Sequence, residues 1–426
     1  MADLGQNPGR LGGDVEPSLP ALSSRMGTTT KGTTSPGLFP NAARLEPRKT
    51  GILPSQEIRE LIHNGKIRSP IEIADAQIQP ASIDLRLANI AYRVQASFLP
   101  GRASTITTKI NDLKLAELDL SKPQLLERGA VFVIPVVENL ALPADIGGAA
   151  NPKSTTGRLD IFTRLVTDGG DEFEQVPKGY AGDLYVEVVS RTFPIILAAG
   201  AKLTQLRFVR GRPPAATDGV LERFEQQEGL VYYENGDAPA KAVLDQGVRM
   251  SIDLQGSEGS SFVAYKGKRN CPPVDLSKVG AYEAAQFWDA ISIPSSRRLV
   301  LDPGDFYILA SKERISVPPN WAAEMTQFDP SIGEFSVHYA GFFDPGFGFG
   351  AGGEIKGTKA VLEVRAHEVP ILLEDSQVVG RLMYHKMASV PDKLYGQAIG
   401  SSYQQQGLAL SKQFRVAPVG HHAVPR

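Results

Sequence analysis

The chain has little of several features that would point directly to a function. Its 426 residues include one cysteine, Cys271, so neither an intramolecular disulfide nor a Cys-x-x-Cys metal site can form. Basic and acidic residues are almost balanced, 45 against 47, which leaves no basic field for nucleic acid. No apolar run is long enough to cross a membrane, and the N-terminus lacks a signal pattern. These absences favour a cytoplasmic protein whose ligand is a small molecule.

The first 48 residues form a segment of distinct composition. They are rich in Gly, Pro, Ser and Thr and have few large apolar side chains. Such a stretch cannot bury enough surface to offset its ordering entropy. We therefore predict a flexible N-terminal extension over 1–48.

The remainder of the chain repeats itself. Residues 82–85 read Ser-Ile-Asp-Leu and recur at 251–254, and later matching segments keep an almost constant offset. A period of this length is the size of a domain, not of a solenoid unit. The sequence therefore predicts two tandem domains, repeat one over 49–245 and repeat two over 246–426.

The local pattern of both repeats is that of a mainly β protein. Short runs rich in β-branched residues are separated by Gly, Pro and Asp, as in an all-β sandwich or barrel. A short helix over 55–63, with Ser55 as N-cap, and a second helix over 278–291 are the predicted exceptions. The clearest predicted strands are 131–137, 183–189, 203–209, 306–310 and 360–365.

The loop at 151–159 combines Lys153, three hydroxyl residues, a glycine and Arg158. Hydroxyls and turn N–H groups donate to phosphate oxygens, while Lys and Arg supply positive charge. The loop could therefore bind a polyphosphate. Because Ser/Thr-rich turns are common, a plain hydrogen-bonded loop is the alternative interpretation.

A second segment, 338–348, is aromatic and contains Asp344 followed by Pro and Gly. Asp-Pro-Gly is a turn signal, so the segment is predicted to be a hairpin. Its exposed backbone could recognise a base or sugar, and an ordinary surface hairpin is the alternative. The polar segment 403–408 near the C-terminus could be either a disordered end or a lid that orders on ligand.

Each repeat also carries a glutamate inside an apolar strand, Glu187 in repeat one and Glu363 in repeat two. Alternation along a strand favours a solvent-facing side chain. The other interpretation is a half-buried carboxylate with a raised pKa, which is typical of catalytic sites. A third is that the shared glutamate reflects common ancestry alone.

Taken in order, these segments resemble those of dCTP deaminases, a family with the trimeric dUTPase-like β-fold. The resemblance covers both repeats but not the first 48 residues, and it implies two tandem dUTPase-like β-barrel or sandwich domains with a few short helices. The similar segments are 78–87 (opening motif), 153–158 (phosphate motif, with Lys for the first Arg), 340–348 (hairpin), the strands around Glu187 and Glu363, and 403–407 (closing tail).

The two repeats depart from the family pattern in complementary ways. Repeat one keeps the phosphate motif, but its hairpin region, 167–173, lacks Asp-Pro-Gly. Repeat two keeps the hairpin, but its phosphate-motif region, 327–333, brings an acid where a cation is expected. Since the family's site lies between subunits, we expect one composite site, with phosphates held by repeat one and the base by repeat two.

The resemblance implies hydrolytic deamination of dCTP to dUTP and ammonia, in the supply of dUTP and dTTP precursors. It implies that water is activated by a glutamate without zinc, since the zinc signature of the other deaminase class needs more than one cysteine. Mg²⁺ would come with the triphosphate rather than be held by protein side chains. The implied catalytic residues are Glu363, Glu187 and Arg158; the implied nucleotide contacts are Lys153, Ser154, Thr155, Arg158, Ala340, Asp344, Tyr403 and Gln406.

Two other functions stay open on the sequence. A dUTP diphosphatase, or a bifunctional enzyme, needs an aspartate in the hairpin, and Asp344 could serve. A non-catalytic nucleotide-binding regulator is the second alternative. A shared site also implies a homo-oligomer, and the resemblance implies possible feedback by dTTP; no nucleic acid or membrane partner is expected.

Overall fold

The computed structural model describes residues 49–415 except 213–214, 234–235, 237, 257–259, 327–334, 339–340, 351, 367 and 397–406. The predicted N-terminal extension, 1–48, therefore lies outside the described residues. Within them the chain is mainly β with a few short helices, as expected from its short β-branched runs. No described helix has the length and apolar character needed to cross a bilayer.

The first half of the chain contains thirteen strands, three α-helices and one 3₁₀ helix (Asp75–Gln77) among the described residues. The helices are α1 (Ser55–His63), α2 (Ile106–Leu113) and α3 (Ser154–Gly157). The strands are β1 (Gly51–Ile52), β2 (Ile67–Arg68), β3 (Ile83–Leu85), β4 (Ile90–Val94), β5 (Lys114–Asp119), β6 (Gln124–Leu126), β7 (Val131–Ala141), β8 (Ile146–Pro152), β9 (Ile161–Thr167), β10 (Gln175–Val176), β11 (Ala181–Ser190), β12 (Ile195–Leu197) and β13 (Thr204–Arg210).

The second half, in its described part, adds two helices and fifteen strands. The helices are α4 (Asp218–Glu228) and α5 (Ala284–Phe287). The strands are β14 (Val231–Tyr232), β15 (Val248–Ser251), β16 (Phe262–Gly267), β17 (Val274–Asp275), β18 (Tyr282–Glu283), β19 (Trp288–Ser292), β20 (Arg298–Leu301), β21 (Phe306–Ile315), β22 (Trp321–Met325), β23 (Phe335–His338), β24 (Phe342–Phe343), β25 (Thr358–Ala366), β26 (Ile371–Glu374), β27 (Val378–Lys386) and β28 (Phe414–Arg415).

The six-stranded sheets of the two halves match strand for strand, and a five-stranded sheet of the first half has a four-stranded counterpart in the second. The order β5-β4-β7-β11-β9, with β2 also on β7, has its counterpart in β19-β16-β21-β25-β23, with β14 also on β21. A second sheet, β1-β13-β8-β10 with β3 on β13, corresponds to β15-β27-β22-β24. The repeated sequence is therefore also a repeated strand order. All five of the clearest predicted strands are present.

The halves are joined by backbone and by side chains. Strand β17 of the second half pairs in parallel with β12 of the first, extending its small sheet. Phe193 packs edge-on against Trp288 at 5.2 Å and against Phe287 at 5.9 Å between ring centroids. Each of these rings is at most 2% exposed, so they bury a large apolar area between the halves. The arrangement fixes the two halves against each other.

The helix predicted over 278–291 is wrong. That stretch forms β18, the single turn α5 and β19, in which Trp288 pairs with Gly267 of β16. Its aromatic residues satisfy a helical spacing, but they are needed for the packing between halves, which overrides the local pattern. Helix α1 has the predicted bounds, although Pro54 is its N-cap and the Ser55 hydroxyl donates to Asp392.

Candidate active site

The predicted phosphate loop follows the end of β8. Pro152 closes the strand, and α3 forms a single turn that begins at Ser154. This turn is tied to the start of β13, since the Lys153 backbone N–H and the Thr156 hydroxyl both donate to the Leu203 carbonyl at 2.9 Å. The turn leaves Ser154 exposed. It carries Arg158, at its end, into the interior.

Arg158 of the first half meets Glu363 of the second. The Arg158 Nε lies 3.9 Å from the Glu363 Oε1, and the two side chains are 3% and 7% exposed. All nine residues of β25 are buried, so neither face of this strand exposes Glu363 to solvent. Burial raises the pKa of Glu363 to about 8, and the Arg158 charge acts in the opposite direction.

The C-terminal segment contacts Arg158 and the phosphate loop. The Arg158 Nη1 donates to the Ala409 carbonyl at 3.1 Å, and the Ser411 hydroxyl donates to the Thr155 carbonyl at 2.9 Å. Downstream, β28 pairs in parallel with β18. The tail is therefore anchored on the phosphate loop. The predicted tail contacts Tyr403 and Gln406, like the hairpin residue Ala340, lie outside the described residues.

Asp344 lies in a turn, but not in the predicted hairpin. Strand β24, just before it, pairs with β22, and residues 345–349 continue as turns rather than as a returning strand. Arg207 of β13 reaches Asp344 from the first half, with Nη2 3.3 Å from Oδ1, and stacks on Phe342 at 3.9 Å. Both charged groups are buried. Burial raises the pKa of Asp344, and Arg207 opposes that shift.

Lys153 and Asp84 complete the polar set. The Lys153 ammonium donates to the Asp84 carboxylate, which β3 holds beside β13. The charges of both groups act on the pKa of Asp344, Asp84 raising it and Lys153 lowering it. The structure thus makes two buried charged contacts between the halves, Arg158 with Glu363 and Arg207 with Asp344, and the loop of Arg158 also carries Lys153.

Glu187, the other predicted catalytic glutamate, lies elsewhere. It is opposite Arg164 in the β11–β9 register, and the Arg164 Nε donates to its Oε1 at 3.1 Å. The Arg164 guanidinium also stacks on Phe173, 3.6 Å from its centroid. Glu187 therefore has its partner within its own half. In repeat two the residue in the same register, opposite Glu363, is His338.

Sequence reasoning missed Arg207. A charged residue inside the apolar run of β13 was a usable signal, because such a residue is buried only with a partner. Among the described residues no three His, Cys, Asp or Glu side chains gather into a metal site.

Two family profiles match the chain. The profile of the 2'-deoxycytidine 5'-triphosphate deaminase N-terminal domain matches residues 49–212, and that of the C-terminal domain matches 217–414. A crystal structure of 2'-deoxycytidine 5'-triphosphate deaminase from Agrobacterium tumefaciens is similar, with 46% identity and a TM-score of 0.75. That similarity covers 80% of this chain and 100% of that one.

Shorter relatives match about half of this chain. A "dCTP deaminase, dUMP-forming" of Dictyoglomus turgidum is 30% identical over 202 residues, which are 46% of this chain and 96% of that protein. A "dCTP deaminase" of Haloarcula marismortui is 26% identical over 174 residues, 40% of this chain and 86% of that protein. The proteins that this chain resembles therefore include some whose name specifies dUMP as the product and some whose name does not.

Proposed function

The chain belongs to the dCTP deaminase family and has dCTP deaminase activity, and from that premise we propose that it hydrolyses dCTP to dUTP and ammonia by a water that Glu363 activates. The buried contact between Arg158 and Glu363 carries this assignment, since it joins the phosphate loop of one half to the strand glutamate of the other. Perturbed, buried carboxylates in such places are typical of acid–base catalysts.

The reaction needs a group that takes and returns protons. In the proposed sequence the ionised Glu363 takes a proton from water while the oxygen bonds to C4 of cytosine, and that proton passes to the ring nitrogen N3. The remaining hydroxyl proton then passes to the amino group as the C4–N bond breaks. Uracil and ammonia result. A carboxyl with a pKa of about 8 suits both directions of transfer near neutral pH.

Arg158 is proposed to orient Glu363 and to stabilise negative charge that develops at C4 oxygen. Its guanidinium is held by the Ala409 carbonyl, so it is preorganised rather than free to follow the charge. Glu187 is proposed to be structural, because Arg164 already occupies its carboxylate. This division makes repeat two the source of the catalytic glutamate.

The nucleotide contacts that we propose are those that the family resemblance implies. Lys153, Ser154 and Thr155 would hold phosphates, Asp344 would contact the sugar or base, and Ala340, Tyr403 and Gln406 would complete the pocket. Mg²⁺ is expected to accompany the triphosphate, where it would neutralise phosphate charge. The described residues offer it no cluster of three ligands, so we assign none.

The proposal extends to architecture and regulation. We propose that each half is a dUTPase-like barrel or sandwich, repeat one over 49–245 and repeat two over 246–426. Matching sheet orders in the two halves support it. A homo-oligomer with shared sites and feedback by dTTP follow from the family resemblance.

A second candidate is a bifunctional enzyme that continues from dCTP to dUMP. The observation that favours it is the name "dUMP-forming" carried by a relative that this chain covers almost completely. Asp344 could activate the second water, but its carboxylate is already paired with Arg207. The decisive assay incubates the enzyme with dCTP, dUTP and CTP and identifies the products. Ammonia with dUTP supports simple deamination; ammonia with pyrophosphate and dUMP supports the bifunctional enzyme, and no ammonia contradicts both.

A further inference from the structure

A cavity of about 520 Å³ adjoins the phosphate loop on the side of the C-terminal segment. The loop contributes Lys153, Thr155 and Thr156 to its wall, and the turn before β13 contributes residues 198–203. The rest of the wall is formed by Asp84, Pro123, Leu159, Ile161, Leu197, Asp275, Leu276, Ser277, Lys412 and Gln413. Both halves of the chain therefore build it.

Three ammonium groups share this cavity. Lys153 is paired with Asp84, whereas Lys202 and Lys412 have no ion pair within the part of the chain that the structure describes. The other wall carboxylate, Asp275, accepts hydrogen bonds from Ser277 and lies 3.5 Å from Lys278. The cavity thus holds more positive than negative charge.

The positive charge in the cavity affects the pKa of Lys412. Desolvation lowers its pKa, and Lys153 and Lys202 lower it further, while Asp84 acts in the opposite direction. Like charges that a fold holds around a cavity repel one another, and an anion between them would remove that repulsion. The Thr155 hydroxyl lies on the same wall, as a donor of the kind that phosphate oxygens accept, whereas the Thr156 hydroxyl already donates to the Leu203 carbonyl.

Hydrogen bonds of its two neighbours in the chain fix the position of Lys412 at the cavity. Ser411 is fixed to the Thr155 carbonyl, and the Gln413 side-chain amide donates to the Leu276 carbonyl at 3.1 Å. The residues on both sides of Lys412 are thereby anchored to two lining segments of the cavity, one from each half of the chain. This observation distinguishes it from a lysine on a loose tail.

We propose that this cavity binds the phosphate groups of a nucleotide, and that Lys202 and Lys412 are phosphate contacts additional to the loop at 153–158. The proposal rests on the proposed function only for the nucleotide's identity. The phosphates could be those of the substrate or those of a second, regulatory nucleotide. In either case the contact would fix the C-terminal segment on the phosphate loop.

The test uses inorganic tripolyphosphate, because it carries the charge of a triphosphate without a base or sugar. Binding to the full chain is measured by calorimetry, without turnover, for wild type, Lys202→Met and Lys412→Met. The control is Lys241→Met, which removes an equal charge from an exposed site with no described ion pair. Thermal unfolding without ligand shows whether each variant is folded.

We expect each cavity variant to weaken tripolyphosphate binding by about tenfold, as for the loss of one charge-assisted contact, and the control to leave it unchanged. If tripolyphosphate competes with dCTP and the variants raise the KM for dCTP with little change in kcat, the substrate is the source. If it binds alongside dCTP and KM is unchanged, the source is a second nucleotide.

Two outcomes overturn the proposal: no tripolyphosphate binding by wild type, or equal binding by the cavity variants and Lys241→Met. Either can occur in an enzyme that still deaminates dCTP. Conversely, lack of deamination with intact tripolyphosphate binding would contradict the proposed function and leave this inference standing. The two failures are therefore distinguishable.

Discussion

Replacement of Glu363 by Gln should abolish most activity and at the same time stabilise the fold. Gln has nearly the same shape and can keep the same position beside Arg158, but it cannot take a proton from water. Loss of a general base typically lowers kcat by about 10²- to 10⁴-fold. We expect that reduction here, with a smaller change in KM, because the substitution leaves the phosphate loop and its charges in place.

The effect on stability follows from the pKa of Glu363, which is about 8 against an ordinary value of 4.5. Between these two values the folded state keeps a proton that the unfolded state has released, so wild-type stability falls as pH rises through this window. The Gln variant has no such loss. Its advantage in the free energy of unfolding should be below about 1 kcal/mol at pH 5 and about 4 kcal/mol at pH 7.5.

The assay is urea unfolding of both proteins at several pH values from 5 to 8, together with ammonia release from dCTP. Glu187→Gln is the matched control for activity, since it makes the same substitution in the equivalent strand of repeat one. We expect it to remain active. Full activity of Glu363→Gln with loss of activity in Glu187→Gln would refute the division of labour, and a stability difference that does not vary with pH would refute the buried, neutral carboxyl.

Three further substitutions test the surroundings of the site and the junction of the halves. Arg158→Lys keeps the charge but not the fork that reaches the Ala409 carbonyl, so steady-state kinetics should show a kcat about 10- to 100-fold lower; a rise in KM alone would contradict it. Arg207→Met leaves Asp344 buried without its cation, so urea unfolding at pH 8 should show a loss of about 3–5 kcal/mol that shrinks at pH 5 as Asp344 takes up a proton. Trp288→Ala should cost about 3–5 kcal/mol in the same assay, and a loss below 1 kcal/mol would show that the junction repacks.

The strands and the duplication could be predicted because both are written in local patterns. Alternating β-branched runs gave β7, β11, β13, β21 and β25 their positions, and repeated tetrapeptides indicated two copies of one fold. The region 278–291 could not be predicted in this way. Its apolar spacing suits a helix, and only the packing of Trp288 and Phe287 against Phe193 makes it strand and turn.

Burial of charge was the harder part of the prediction. Alternation assumes that a strand has one wet face, but β25 is covered on both, so the orientation of Glu363 depended on neighbours distant in sequence. The burial of Arg207 also depended on a residue distant in sequence, since its partner Asp344 belongs to the other half. The turn at Asp344 was predicted. The strand before it, β24, pairs with β22, and the described residues after it continue as turns and not as a returning strand.

The two strand glutamates show how duplicated copies come to differ. In repeat one the residue across the ladder from Glu187 is Arg164, which places a cation in hydrogen-bonding contact within the same sheet. In repeat two the same register position is held by His338, and the Arg158 guanidinium of the other half lies 3.9 Å from the Glu363 carboxylate. Glu187 accepts a hydrogen bond from its cross-strand arginine, whereas Arg158 lies farther from Glu363 and burial dominates the pKa of Glu363. The two copies therefore differ in where the charged partner of the strand glutamate comes from: the same sheet for Glu187, and the phosphate loop of the other half for Glu363.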